Sequence, residues 1–212
     1  QDKDLIIPDL HEQYSTCAEL LKKIRKDVKI IICPGDHDAS RISEPQPPLN
    51  KEFTKDLYEM ENVIMVNNPE TVNIHASENF DGFNILLYHG RSFTYYISNI
   101  DSIRNKGGFN GVDLIMGLLL QKRHLAPSHS SSLYIPNKNE DPLIINKIPD
   151  IFVSAHLHKT NLGSYNNILT ISCSCWQSKT SLQEKIGHNP DPCKVPILNL
   201  KTREIKVLRF DQ

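Results

Sequence analysis

Long apolar runs are missing from this 212-residue chain, and so is an excess of either charge. No stretch approaches the roughly 20 apolar residues that cross a bilayer. No secretory signal pattern opens the sequence, so a cytoplasmic setting without a membrane partner is expected. Twenty-four Lys and Arg stand against 25 Asp and Glu, a formal net charge of −1. A free-standing nucleic-acid binder usually carries a basic excess. Contact with DNA would therefore need a local patch or affinity borrowed from a partner. Cysteine is also sparse: Cys17, Cys33, Cys173, Cys175 and Cys193 are odd in number and irregularly spaced. That argues against a disulfide framework and for a reducing compartment. Cys173 and Cys175 alternate in a strand-like run, where buried thiols are a better reading than a zinc site. Internal repeats and low-complexity segments are absent, and the length suits one domain with a sizeable core. The only tryptophan, Trp176, is expected in that core.

Hydrophobic periodicity predicts a helix over Glu12–Lys26, where Cys17, Leu20, Leu21 and Ile24 recur at helical spacing. Buried strands are predicted at Val28–Cys33, Phe83–Tyr88 and Ile151–Ser154. Further strands are predicted at Val63–Val66, Leu169–Ser172, Val195–Leu200 and Ile205–Arg209. Helices are predicted at Phe53–Met60 and, after the Gly107-Gly108 break, at Val112–Lys122. The three prolines of Glu44–Leu49 demand an extended loop. Tyr165-Asn166-Asn167-Ile168 reads as a type I′ hairpin turn, and Lys201–Glu204 as a second turn.

Histidine and aspartate gather after three of these strands. Pro34-Gly35-Asp36-His37-Asp38 follows the run ending at Cys33, His89-Gly90 follows Tyr88, and Ala155-His156-Leu157-His158 follows Ser154. Strand ends are where open α/β folds bind ligands. Three such clusters suggest a metal site. His11, His75, His129 and His188 lack comparable context and are read as surface residues.

In this order the three segments resemble the Gly-Asn-His-Asp, His-Gly and Gly-His-x-His motifs of calcineurin-like metallophosphoesterases. Each motif is weak alone, and the ordered trio is specific. Flanking segments narrow the resemblance: Asp38–Arg41 leading into Glu44–Pro47, His89–Ser92, Lys122–Pro127, Cys175–Thr180 and Asn189–Pro196. Over about Leu5 to Phe210 the chain is similar to the small subunits of archaeal family D DNA polymerases. The resemblance implies a two-sheet α/β/β/α sandwich, here N-terminally incomplete, with residues 1–212 forming the C-terminal part of one metallophosphoesterase domain. It implies a metal-dependent 3′–5′ exodeoxyribonuclease that proofreads the DNA 3′ end for a large polymerising subunit. Carried over position by position, Asp36, His89 and His156 would bind one metal and His158 the other, with two Mn²⁺ expected in the intact protein. His37 would contact the scissile phosphate and protonate the leaving oxygen. Asp38 would hold the His37 ring. Arg41 and Arg91 would contact phosphate.

Two positions depart from the pattern. Asp36 replaces an asparagine, adding negative charge beside a substrate phosphate. Ala155 replaces a glycine, a mild change unless that backbone needs positive φ. The family's first two motifs, which supply the metal-bridging aspartate, are not present. Asp9-Leu10-His11 imitates one of them but leads directly into a helix, so it is read as binding no metal. The chain is expected to be a fragment that holds at most one weakly bound metal by itself. A non-catalytic scaffold that docks the large subunit is the alternative function. A small-molecule phosphodiesterase would explain the trio but not the flanking segments.

Overall fold

A computed structural model describes residues 5–185 and 187–210. The chain opens with helix α1, Leu10–Leu21, whose third amide is capped by the Asp9 carboxylate accepting from Glu12 N at 2.9 Å. The helix ends one turn before the predicted limit, so Ile24 falls in the following turn. Strand β1, Ile30–Ile32, runs parallel to β2, Val63–Met65, with the short helix α2, Lys55–Tyr58, between them. This helix is half the predicted length.

Next come β3, Glu70–Ile74, and β4, Phe83–Tyr88, an antiparallel pair. Helices α3, Phe93–Asn99, α4, Asp101–Lys106, and α5, Val112–Lys122, follow. Strand β5, Ile151–Ser154, then lies parallel to β4. The hairpin of β6, Asn161–Tyr165, and β7, Ile168–Ser172, completes a five-stranded sheet of order β3-β4-β5-β7-β6. Its turn residues Asn166 and Asn167 have φ of 45° and 65°, as a type I′ turn requires. A short helix α6, Ser181–Lys185, precedes the hairpin β8, Lys194–Leu198, and β9, Ile205–Arg209. The class is mixed α/β. Among the described residues the strands divide into one sheet of five and two of two, so the second layer is not one continuous sheet.

The core lies where α3 and α5 cover β4 and β5. Val112, Ile115, Met116, Leu119 and Leu120 bury one face of α5 against Leu86, Tyr88 and Phe152. The parallel strands β4, β5 and β7 read as apolar runs because helices cover them. Strands β3 and β6 escaped prediction. Each is an edge strand with polar residues at alternate positions, and its partner strand holds it rather than its own hydrophobicity.

Trp176 is 69 % exposed, contrary to its expected core position, with its ring 5.8 Å from Phe210. It follows the end of β7, where no layer covers the chain. Cys173 and Cys175 likewise lie past β7 rather than inside it. Among the described residues all five thiols are free, and Cys17 is exposed. No helix among them is long and apolar enough to cross a membrane.

Candidate metal centre

Three strand ends meet at one point. The loop after β1 brings Asp36, the residue after β4 is His89, and the turn after β5 brings His156. One ligand atom from each lies within 4.8 Å of the other two. His89 Nε2 is 2.8 Å from Asp36 Oδ1, His156 Nδ1 is 3.2 Å from His89 Nε2, and His156 Nδ1 is 3.6 Å from Asp36 Oδ1. Ligand atoms around a cation held at about 2.1 Å stand roughly 3.0–3.4 Å apart. The three separations bracket that range. A carboxylate with two imidazoles suits Mn²⁺, Fe or Zn²⁺. Only protons otherwise relieve the crowding of these lone pairs, so the donor set fits a divalent ion. Burial alone would raise the Asp36 pKa, but hydrogen bonds from His156 and His89 overcome it and hold the carboxyl well below the usual carboxylate range. Its second oxygen accepts from Arg91 Nη1 at 2.9 Å.

Backbone constraints explain the glycines of the motifs. A Cβ on Gly35 would stand 2.8 Å from His89 Cε1, so only glycine lets the Asp36 loop lie against that ring. Gly90 has φ of 106°, which favours glycine immediately after His89. The Ala155 replacement proves mild, since positive φ falls instead on His156, at 63°, and His158, at 52°. Two strained non-glycine residues in one turn are a device that active sites use to aim side chains.

Buried polar side chains fix the three segments to one another. Asn68 Oδ1 accepts from the His89 amide at 2.8 Å, while Asn68 Nδ2 donates to Gln46 Oε1 at 2.6 Å. Gln46 Nε2 in turn donates to the carbonyl oxygens of Gly35 and Arg41, both at 2.9 Å. Sequence reasoning missed Gln46 and Asn68. Their signal was weak: a glutamine between two prolines, and an asparagine before another.

His37 is exposed beside Asp36. Asp38 does not hold the His37 ring as expected. Its Oδ1 accepts from the Tyr14 hydroxyl at 2.8 Å and its Oδ2 from the Gly35 amide at 2.7 Å, so both oxygens serve to shape the loop. The Tyr14 hydroxyl also accepts from the Ala39 amide. Burial, more than the nearby Asp38 carboxylate, pushes the Tyr14 pKa up to about 12. Arg41 is likewise occupied, with Nε 2.9 Å from the Pro45 carbonyl, whereas Arg91 faces the cluster.

His158 stands apart from the other three donors. Its Nδ1 is 3.0 Å from Gln183 Nε2, and burial, followed by the charges of neighbouring histidines, lowers its pKa. His188 was read as surface but is 6 % exposed. Its ring lies 4.9 Å from Phe109, and burial lowers its pKa. His11 packs on Phe53 at 5.0 Å, and the Asp9 carboxylate caps its helix.

The family model describing the B subunits of DNA polymerases alpha and epsilon matches residues 9–161. The chain is 37 % identical over 210 residues to the DNA polymerase II small subunit of Halobacterium salinarum, covering 99 % of this chain and 40 % of that protein. The same subunit from Methanothermobacter thermautotrophicus is 37 % identical, covering 99 % of this chain and 41 % of the relative. That of Pyrococcus horikoshii is 34 % identical, covering 100 % and 33 %. The chain thus spans about two fifths or less of the length of these relatives. Among solved structures, an archaeal phosphodiesterase is a distant likeness, 13 % identical with a TM-score of 0.44, covering 91 % of this chain and 74 % of its own. Matched over most of its length, through all three of Asp36, His89 and His156, the chain belongs to the family of DNA polymerase alpha/epsilon B subunits.

Proposed function

We propose that the protein is a metal-dependent 3′–5′ exodeoxyribonuclease, the proofreading small subunit of an archaeal replicative DNA polymerase that works beside a large polymerising subunit. One observation carries this reading: three donors from separate strand ends converge within 4.8 Å, next to an exposed histidine and an arginine. Divalent ions, with two Mn²⁺ expected in the intact protein, would polarise the phosphate and supply a hydroxide-like nucleophile. Asp36, His89 and His156 would hold one ion. His158 is the candidate ligand for the other, with Gln183 orienting its ring. Arg91, already paired with the Asp36 carboxylate, balances charge as a substrate phosphate approaches. His37, free of hydrogen-bonding partners among the described residues, contacts that phosphate and delivers a proton to the departing 3′ oxygen. Asp38 keeps the His37 loop in place through Tyr14 and the Gly35 amide rather than through the ring.

His37→Ala in the full protein tests the assignment. Removal of a general acid costs about 10²–10⁴-fold in rate. Degradation of a mispaired 3′ end with Mn²⁺ is expected to fall by that factor while metal content stays level. Parallel loss of metal would make His37 a ligand, and full activity would remove it from the mechanism.

Gly35→Ala should act at a distance of one side chain. Displacement of the His89 ring is expected to weaken Mn²⁺ binding by about tenfold or more, as outer-shell changes do. Calorimetric titration checks it, and an unchanged affinity would show that the ring yields at no cost.

A non-catalytic scaffold that docks the large subunit is the second reading. The Asp36–Arg91 ion pair, at 2.9 Å, and the engagement of Asp38 with Tyr14 favour it, because the first neutralises one carboxylate internally and the second ties up the other. That reading expects no nuclease activity for His37→Ala to abolish.

A further inference from the structure

A cavity of about 670 Å³ opens directly beside the metal centre. It falls within the roughly 300–1,000 Å³ of clefts that hold small ligands. Arg91 and His156 form the wall shared with the centre, and Thr94, Tyr95, His129 and Tyr134 face it from the other sides. Thr94 Oγ1 is 3.4 Å from His156 Nε2, so the cavity reaches the far nitrogen of a ring whose near nitrogen belongs to the cluster. Among the described residues no carboxylate lines it.

The far wall is built into the fold. Glu44, fully buried, accepts from Ser132 Oγ at 2.5 Å. Its amide donates to the Leu133 carbonyl at 2.9 Å, and its own carbonyl accepts from the Ile135 amide at 2.8 Å. The buried Tyr96 hydroxyl donates to Ser131 Oγ at 3.1 Å and accepts from the Ser128 amide at 3.2 Å. These bonds fix the segment from Ser128 to Ile135 against helix α3 and the loop that follows the Asp36 motif. On that segment the rings of His129 and Tyr134 stand 6.1 Å apart at 81°, an edge-to-face aromatic corner, and both residues are exposed.

We propose that this cavity is a nucleoside subsite. It takes the 3′-terminal nucleoside of a DNA strand, with the base stacked in the His129–Tyr134 corner, the sugar near Thr94, and the phosphate between Arg91 and the metal centre. The proposal rests on the nuclease reading for its substrate. Its physical basis is independent: aromatic faces bind any base by stacking, hydroxyls serve the sugar, and a carboxylate-free wall with one arginine tolerates an anion. Cleavage on the 5′ side of that nucleotide's own phosphate would leave a nucleoside 5′-monophosphate in the cavity. Water adds to phosphorus, the P–O3′ bond to the preceding nucleotide breaks, and the released 3′ oxygen takes a proton.

Thymidine 5′-monophosphate, thymidine and inorganic phosphate, titrated into the full protein by calorimetry and by NMR, test the site. The monophosphate is expected to bind about tenfold or more tighter than phosphate. Tyr134→Ala is expected to erase that margin and leave phosphate binding as it was, while Tyr134→Phe, which keeps the ring, retains it. Equal affinity for the monophosphate and phosphate, or a margin that survives Tyr134→Ala, would overturn the proposal. The nuclease reading is judged separately, from 3′-end degradation by the unaltered protein. An inert protein that still holds the monophosphate with this margin would overturn that reading and keep the nucleoside site.

Discussion

His156→Ala in the full protein should release the divalent ion, with an affinity loss beyond about 100-fold, because even partners of metal ligands cost about 10–100-fold when removed. Mispaired 3′-end degradation should fall with metal content, a coupling that separates this variant from His37→Ala. The position is sensitive for a second reason. His156 has φ of 63°, and any side chain placed there inherits the strain. His156→Asn, whose side chain tolerates that region better than most, distinguishes ligand loss from a disturbed turn. Both variants should lose metal equally. If the asparagine variant keeps full metal content and activity, His156 is not a ligand and the centre must be sought elsewhere.

Phe152→Ala is expected to destabilise the protein by about 3–5 kcal/mol, the usual cost of emptying a buried aromatic site. Phe152 is fully buried on the central strand β5, opposite Leu86 of β4 and Thr170 of β7 in register. Covering helices and flanking strands on every side leave little room for collapse into the void. Such a loss is a large share of the roughly 5–15 kcal/mol that holds a typical domain together. Urea unfolding followed by circular dichroism measures it. A loss under about 1 kcal/mol would mean that the core repacks around the gap. Two residues downstream the same strand delivers Ser154, whose hydroxyl donates to Met116 Sδ at 3.4 Å. The site therefore hangs from the part of the fold most tightly packed.

The sequence showed most where residues face a uniform environment. Phe83–Tyr88, Val112–Lys122 and Ile151–Ser154 have the predicted limits, because apolar runs mark elements that pack on the core. The Asn166-Asn167 turn was legible because φ is positive at both residues. Convergence of Asp36, His89 and His156 followed from their places after strands. What stayed hidden depends on partners distant in sequence. Asp38 lies 24 residues from Tyr14, and no local pattern announces that bond. Nor does Gln46 reveal that its amide spans Gly35 and Asn68. His188 lacked context because the ring it packs on, Phe109, comes from elsewhere in the chain. Trp176 misled because a lone tryptophan suggests core, whereas burial is decided by whether a layer passes overhead.

The Tyr14 hydroxyl has a mechanical consequence. Helix α1 otherwise leans mainly on the short α2, yet through Tyr14 it grips Asp38 and Ala39 in the loop that positions Asp36 and His37. The amides of Gly35 and Ala39 are held by side chains rather than by a strand ladder, so they open to solvent when that grip slackens. A binding partner that tilted α1 would thus slacken or tighten the loop that carries Asp36 and His37 without touching it. Helix α1 serves as a tiller for the centre, turned from the outer surface of the fold.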